Sequence, residues 1–296
     1  TTATANTAVG FESLKSSTTS AANTGIGYTA LTSVTTGTSN TAVGSGAGAC
    51  ITEGTNNLAL GKSALVFTTT GDHNIAMGED SVRCNTTGSY NIGIGVNALF
   101  KNTASSNLGI GRNALSCNTT ATCNVALGDN ALKVNTTGCM NVAVGIESMV
   151  KTTTGKENTA VGKLSMACNT TGSYNAAFGT NTMQQNTEGE ENAAFGMQAM
   201  NSNTTGDFNT AVGSNTLGGN TTGSCNTGVG RLAMHSNTTA SVNTAVGFCA
   251  LNSNTTAESN NAFGADSLKT NSTGGCNQAF GKSALEGNTT GACNIA

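Results

Sequence analysis

Charge is scarce in this chain. Twelve Lys and Arg stand against fifteen Asp and Glu in 296 residues, a net charge of −3. Such a balance lacks the basic footprint by which a nucleic-acid-binding protein neutralises phosphates, so no nucleic-acid partner is expected. Long apolar runs are missing as well. None approaches the roughly 18 residues of a membrane-spanning helix, so no span is expected in this segment. Histidine occurs twice, at His73 and His235, far apart, and no CxxC pair occurs. Acidic residues such as Glu53, Asp72 and Glu188 are scattered without a recurring pair. Metal binding and acid–base catalysis therefore have no foothold. The glycine-containing runs lack the Lys and the strand-to-helix setting of a phosphate loop. The expectation is a non-enzyme with no metal and no cofactor. Pro and Trp are absent and aromatics make up 4% of the chain. So little apolar surface would suit a disordered chain, were the apolar residues not held in strict register.

That register is the dominant feature. From Asn6 to Cys293 the chain divides into seventeen units of the form N-x-A-Φ-G-x-x-A-L-x-x-N-T-T-G-x-x, where Φ is apolar. Sixteen units have 17 residues; the unit that begins at Asn91 has 16, one short in its last turn. Every unit opens on Asn and carries Gly at its fifth position. A period this strict indicates a repeat architecture and overrides a domain count taken from length. Residues 1–5 match positions 13 to 17 of a preceding unit, and residues 294–296 match the first three of a following one. The expected organisation is one continuous rod over residues 6–293. It is further expected to be a window of a longer array, or a piece that continues head to tail into a neighbour. A leader, an anchor or a tip would then lie outside these residues.

Within a unit, position 3 is Ala or Gly, position 4 is always apolar and position 5 is always Gly. In an extended strand, positions 3 and 5 share one face and position 4 takes the other. The large face reads as core, with Phe178, Phe195, Phe263 and Phe280 packed on the Leu, Met or Val of position 9. The small face reads as a surface of close backbone approach. Positions 12 to 15, Asn-Thr-Thr-Gly, read as a second short strand entering a turn. The opening Asn reads as a stacked corner ladder. Seventeen residues are too few for the helix pairs of helical repeats but suffice for two short strands and two turns. The predicted fold is all-β: a parallel β-roll or β-solenoid with two short strands per coil.

The run Asn-Thr-Ala-Val-Gly at Asn6–Gly10, Asn158–Gly162 and Asn243–Gly247 resembles the head repeats of YadA-like trimeric autotransporter adhesins. It is similar also to the N-T-A-x-G-x-x-A-L arrays of predicted tail and surface fibres of phages, large viruses and aquatic microbes. The resemblance covers nearly the whole chain, although its units are longer than the usual adhesin head unit. It implies a parallel homotrimer with small residues facing the trimer axis, located at a cell or virion surface. It departs from bacterial adhesin heads in its ten Cys, since such heads are cysteine-poor.

Four of those Cys sit at position 11 and four at position 17. Equivalent positions in successive coils stack about 4.8 Å apart, inside the Cα range of a disulfide. Cys276 and Cys293 are neighbours in one column and Cys123 and Cys139 come close, so these four are the candidate disulfide partners. Position 12 carries ten N-x-[ST] sequons, at Asn85, Asn118, Asn135, Asn169, Asn203, Asn220, Asn237, Asn254, Asn271 and Asn288. They are candidate N-glycosylation acceptors in an extracellular glycoprotein. The functional expectation is an extracellular structural fibre or filament, the shaft or head of a surface appendage. It would associate with itself and adhere through a glycan or cell-surface receptor. The alternative is an ice-binding or glycan-binding β-solenoid working through the Thr ladder of positions 13 and 14.

Overall fold

A computed structural model describes residues 2–296. Among them there is no α-helix, and each repeat contributes one three-residue β-strand. The chain forms two compact units, the first running to Glu147 and the second from Ser148 to Ala296. The first holds β1 (Thr7–Val9), β2 (Thr24–Ile26), β3 (Thr41–Val43), β4 (Leu58–Leu60), β5 (Ile75–Met77), β6 (Ile92–Ile94), β7 (Leu108–Ile110), β8 (Val125–Leu127) and β9 (Val142–Val144). The second holds β10 (Thr159–Val161), β11 (Ala176–Phe178), β12 (Ala193–Phe195), β13 (Thr210–Val212), β14 (Thr227–Val229), β15 (Thr244–Val246), β16 (Asn261–Phe263) and β17 (Gln278–Phe280). In each unit the strands pair in parallel, one repeat on the next, as in Ala160↔Ala177 and Phe178↔Phe195. This is a β-solenoid of about 17 residues per turn.

The interior reverses the expected polarity of the strand. Position 3 points inward, with Ala42, Ala76, Ala177 and Ala211 at 0% exposure. It packs beneath the Leu and Met of position 9, among them Leu99, Met183, Met200 and Leu217, which are the largest fully buried side chains. Those residues already fill the narrow lumen, so the bulky position 4 has no room inside and takes the opposite face. Phe178, Phe195, Phe263 and Phe280 are 37%, 41%, 36% and 59% exposed, not buried as expected. Of the Ala/Gly face expected to look toward a trimer axis, position 3 looks into its own coil and position 5 lies against the backbone of the next coil, as Gly162 does against Gly179.

The second expected strand is also absent. Over positions 12 to 15 the N–H groups of Thr35, Thr36 and Gly37 all converge on the carbonyl of Thr52 in the next coil. A strand ladder would distribute them over alternate residues. The backbone between the two bends is held instead by left-handed residues. Positions 7, 9 and 17 have φ near +55°, whatever their side chain, as in Leu31 (φ 50°), Met200 (φ 50°) and Tyr174 (φ 61°). One coil shows how side chains accommodate this path. Gly48 takes position 9, and Ile51 replaces the usual Asn of position 12, buried with its Cδ1 only 3.0 Å from where a Gly48 Cβ would stand.

Left-handed β-branched residues carry strain of about 1–3 kcal/mol. Val242 has φ 61°, is 58% exposed and donates only its N–H, to Ser224 O. Val242→Asn keeps that bond and suits the left-handed region better, so we expect a gain of about 1 kcal/mol, read from urea denaturation. An unchanged or lower midpoint would show that the angle is not strained.

Candidate functional site

Two columns of buried Asn lie behind the surfaces of the coil. At position 1 the Asn N–H donates to the Oδ1 of the Asn one coil before, and in many coils the side-chain amide does so as well, as in Asn209 to Asn192 at 2.9 and 3.1 Å. At position 12 the Nδ2 groups run the same way, as in Asn220 to Asn203 at 2.8 Å. The two columns share an acceptor. Gly223 O receives Asn209 Nδ2 at 2.8 Å and Asn220 Nδ2 at 2.9 Å. The predicted ladder at position 1 is therefore present, and a second one stands where the sequons were placed. In the 16-residue unit the residue lost is that of position 14, an outer tip. Asn91 and Asn102 both still reach one carbonyl, Ala104 O, at 2.8 Å.

Such burial withdraws the glycosylation sites. Asn85, Asn118, Asn135, Asn169, Asn203, Asn220, Asn237, Asn254 and Asn271 are 0% exposed, and only Asn288 is part-exposed. In Asn203 both amide hydrogens are engaged, with Asn186 Oδ1 at 2.8 Å and Gly206 O at 2.9 Å. A glycan on any of the nine would have to leave the coil. We expect protein secreted from a glycosylating host to show no glycan mass on these nine Asn; folded protein carrying one on Asn203 would refute the assigned burial.

The cysteines are free, all ten. Cys276 and Cys293 are exposed in one column without bonding to each other, and Cys123 and Cys139 are likewise unpaired. Burial pushes the Cys50 thiol up from its ordinary value, and thiolates are the nucleophiles. At pH 8 we expect alkylation to label the exposed Cys123, Cys225, Cys276 and Cys293 first and Cys50 well behind them. Rapid labelling of Cys50 would contradict its partial burial.

Outward, the solenoid presents ranks of like residues. The Thr of position 14 forms one exposed rank, including Thr205, Thr222 and Thr239. The Thr of position 13 is half-buried, and its hydroxyl donates to the next coil, as in Thr204 Oγ1 to Thr221 O at 3.0 Å. Position 4 forms an apolar rank in which Phe178 stacks on Phe195, with centroids 5.0 Å apart, and Phe263 on Phe280 at 5.1 Å. Beside Phe178 and Phe195, Ala176 and Ala193 floor a hollow of about 490 Å³ that is flanked by Tyr174 and Glu191. Lys156 Nζ lies 5.7 Å from the Tyr174 ring centroid. Elsewhere Arg83 sits over the rings of Phe67 and Phe100, and His73 stacks on Tyr90. His235 Nδ1 meets Asn215 O at 3.2 Å. Among the described residues no three His, Cys, Asp or Glu side chains converge as metal ligands. The exposed apolar rank and the buried second Asn column were both misread from sequence. The signal for each was present: strict Ala/Gly at position 3 is what a cramped lumen requires, and Asn at position 12 in twelve of seventeen units, unbroken from Asn169 to Asn288, is what a ladder requires.

No protein-family model matches the chain, and no curated protein matches it significantly.

Proposed function

We propose that this chain is a structural element of an extracellular fibre or filament at a cell or virion surface, with an adhesive role. One observation carries the reading. Each coil passes its bonds to the next through the same atoms: a backbone ladder, the position 1 Asn column, and over long stretches the position 12 column. The unit is thereby open-ended, because the acceptors one coil leaves are those the next coil fills. Stability in such arrays adds up coil by coil, which suits a spacer of adjustable length. The adhesive part falls best on the hollow between Tyr174 and Glu191. There an aromatic ring offers a stacking face and a carboxylate offers acceptors for sugar hydroxyls.

Antibody raised against the chain should label filaments outside the cell or virion of the source, and label confined to the interior would overturn the fibre reading. For adhesion, Tyr174→Ala should lower binding to a glycan array at least tenfold with the melting curve unchanged; equal binding would remove the hollow from consideration. Ice binding is the weaker reading. It needs a flat array, and the position 13 hydroxyls already donate to backbone, which leaves one free Thr rank. Thermal hysteresis in a purified sample would reinstate it.

A further inference from the structure

Six consecutive strands of the first unit differ from the others. β4–β9 read Leu-Ala-Leu, Ile-Ala-Met, Ile-Gly-Ile, Leu-Gly-Ile, Val-Ala-Leu and Val-Ala-Val. In every other described strand position 2 is Thr, Ala, Asn or Gln. Here positions 2 and 4, which share the outward face, are both large and apolar. The face is two columns wide, six coils tall and without charge. Parallel strands with continuous apolar runs are normally covered on both faces. The inner face is covered by position 9. The outer face is left in water, with Met77 and Ile110 each 37% exposed.

We propose that the β4–β9 face is where a second copy of this chain packs. The inference rests on the structural reading above and names its partner. Three observations favour a copy over an unrelated protein. The surface is a set of ridges at strand spacing, about 4.8 Å, and the surface certain to share that spacing over six coils is another copy. Twelve large apolar side chains line this face over six successive coils. The flanking Tyr90, Val96, Met140 and Ile146, which are 63%, 44%, 51% and 53% exposed, widen it into a contiguous apolar patch of the kind that marks an interaction surface. Finally, the charges along its edge at position 6 are neutralised within the chain. Lys62 pairs with Glu79 at 3.0 Å and Arg112 with Asp129 at 3.6 Å, so two like surfaces meet without net repulsion.

The test is sedimentation equilibrium of the full chain under reducing conditions. The wild type should show twice 29.3 kDa or a higher whole multiple. Ile94→Lys should return the single-chain mass. Because a Lys could disturb the strand, a second variant carries Ile75→Thr, Ile92→Thr and Leu108→Thr, the residue that β1–β3 bear at position 2. It should raise the dissociation constant at least tenfold with an unchanged β circular-dichroism spectrum. A control with Phe178→Ser and Phe195→Ser should leave the mass alone. A wild type that stays at the single-chain mass at high concentration would overturn the interface yet leave the fibre reading standing. So would a multimer that the Phe control dissociates and the β4–β9 variants do not. Interior labelling in the antibody experiment would do the reverse.

Discussion

Gly162→Val should abolish the fold around its coil and lower the stability of the chain by more than about 4 kcal/mol. Two costs add. Gly162 has φ +135°, a region that L side chains rarely adopt. A Cβ there would also collide with the backbone of the coil above, meeting Gly179 O and lying 2.6 Å from Gly179 C and 3.1 Å from Thr180 N. Backbone cannot rotate away as a side chain can, so even Gly162→Ala should be severe. The position-5 glycines therefore form a column of contact between successive coils, with Gly179 in turn against Gly196. Circular dichroism in urea, with hydrogen exchange to localise the damage, measures the effect. A Gly162→Ala protein within about 1 kcal/mol of wild type would show that the coils are farther apart than described. A loss of this size is exceptional for one substitution and belongs to overpacking and backbone mechanisms.

That column was legible in the sequence as a face of close approach, but not the identity of what approaches. The repeat length, the parallel β-solenoid and the Asn corner followed from periodicity, because 17 residues with invariant Asn and Gly leave few alternatives. The inside and outside of the strand did not. A three-residue strand offers two faces, and large apolar residues on one of them normally mark the core. Here Phe178 and Phe195 lost that place to Met183 and Met200. Those Met reach the lumen from residues in left-handed conformation, a choice that helix and strand periodicities do not encode. The sequons misled for a related reason. Asn-Thr-Thr reads as a surface acceptor, whereas Asn203 and Asn220 are interior because position 12 follows the last turn back toward the lumen. Apart from the one 16-residue unit that carries β6, the spacing of β4–β9 is that of the other coils, and it is the composition at position 2 that sets them apart.

The buried Asn columns make the sharpest electrostatic prediction. Asn209, 0% exposed, donates Nδ2 to Asn192 Oδ1 at 3.1 Å and to Gly223 O at 2.8 Å. Its own Oδ1 accepts the N–H and Nδ2 of Asn226 at 3.0 and 3.1 Å. Asn209→Ala removes all four bonds and strands buried donors of Asn226, which should cost about 3 kcal/mol. Asn209→Asp has the same shape and should cost more at neutral pH, about 4–5 kcal/mol. It places a buried carboxylate oxygen against two oxygens that had received hydrogens. Burial and those facing acceptors both disfavour the charged form, so the carboxyl would titrate higher when folded than its unfolded value near 3.9. An acid whose folded value is raised binds more protons in the native state, and stability then falls as pH rises between the two values. The deficit of the Asp variant relative to wild type should thus be smallest at pH 3–4, where the protonated group can donate one hydrogen bond. It should grow toward pH 7. Urea midpoints of both proteins across that range decide the matter. A deficit that stays constant, or shrinks as the pH rises, would mean that the column is hydrated and that Asn209 does not sit between two buried acceptors.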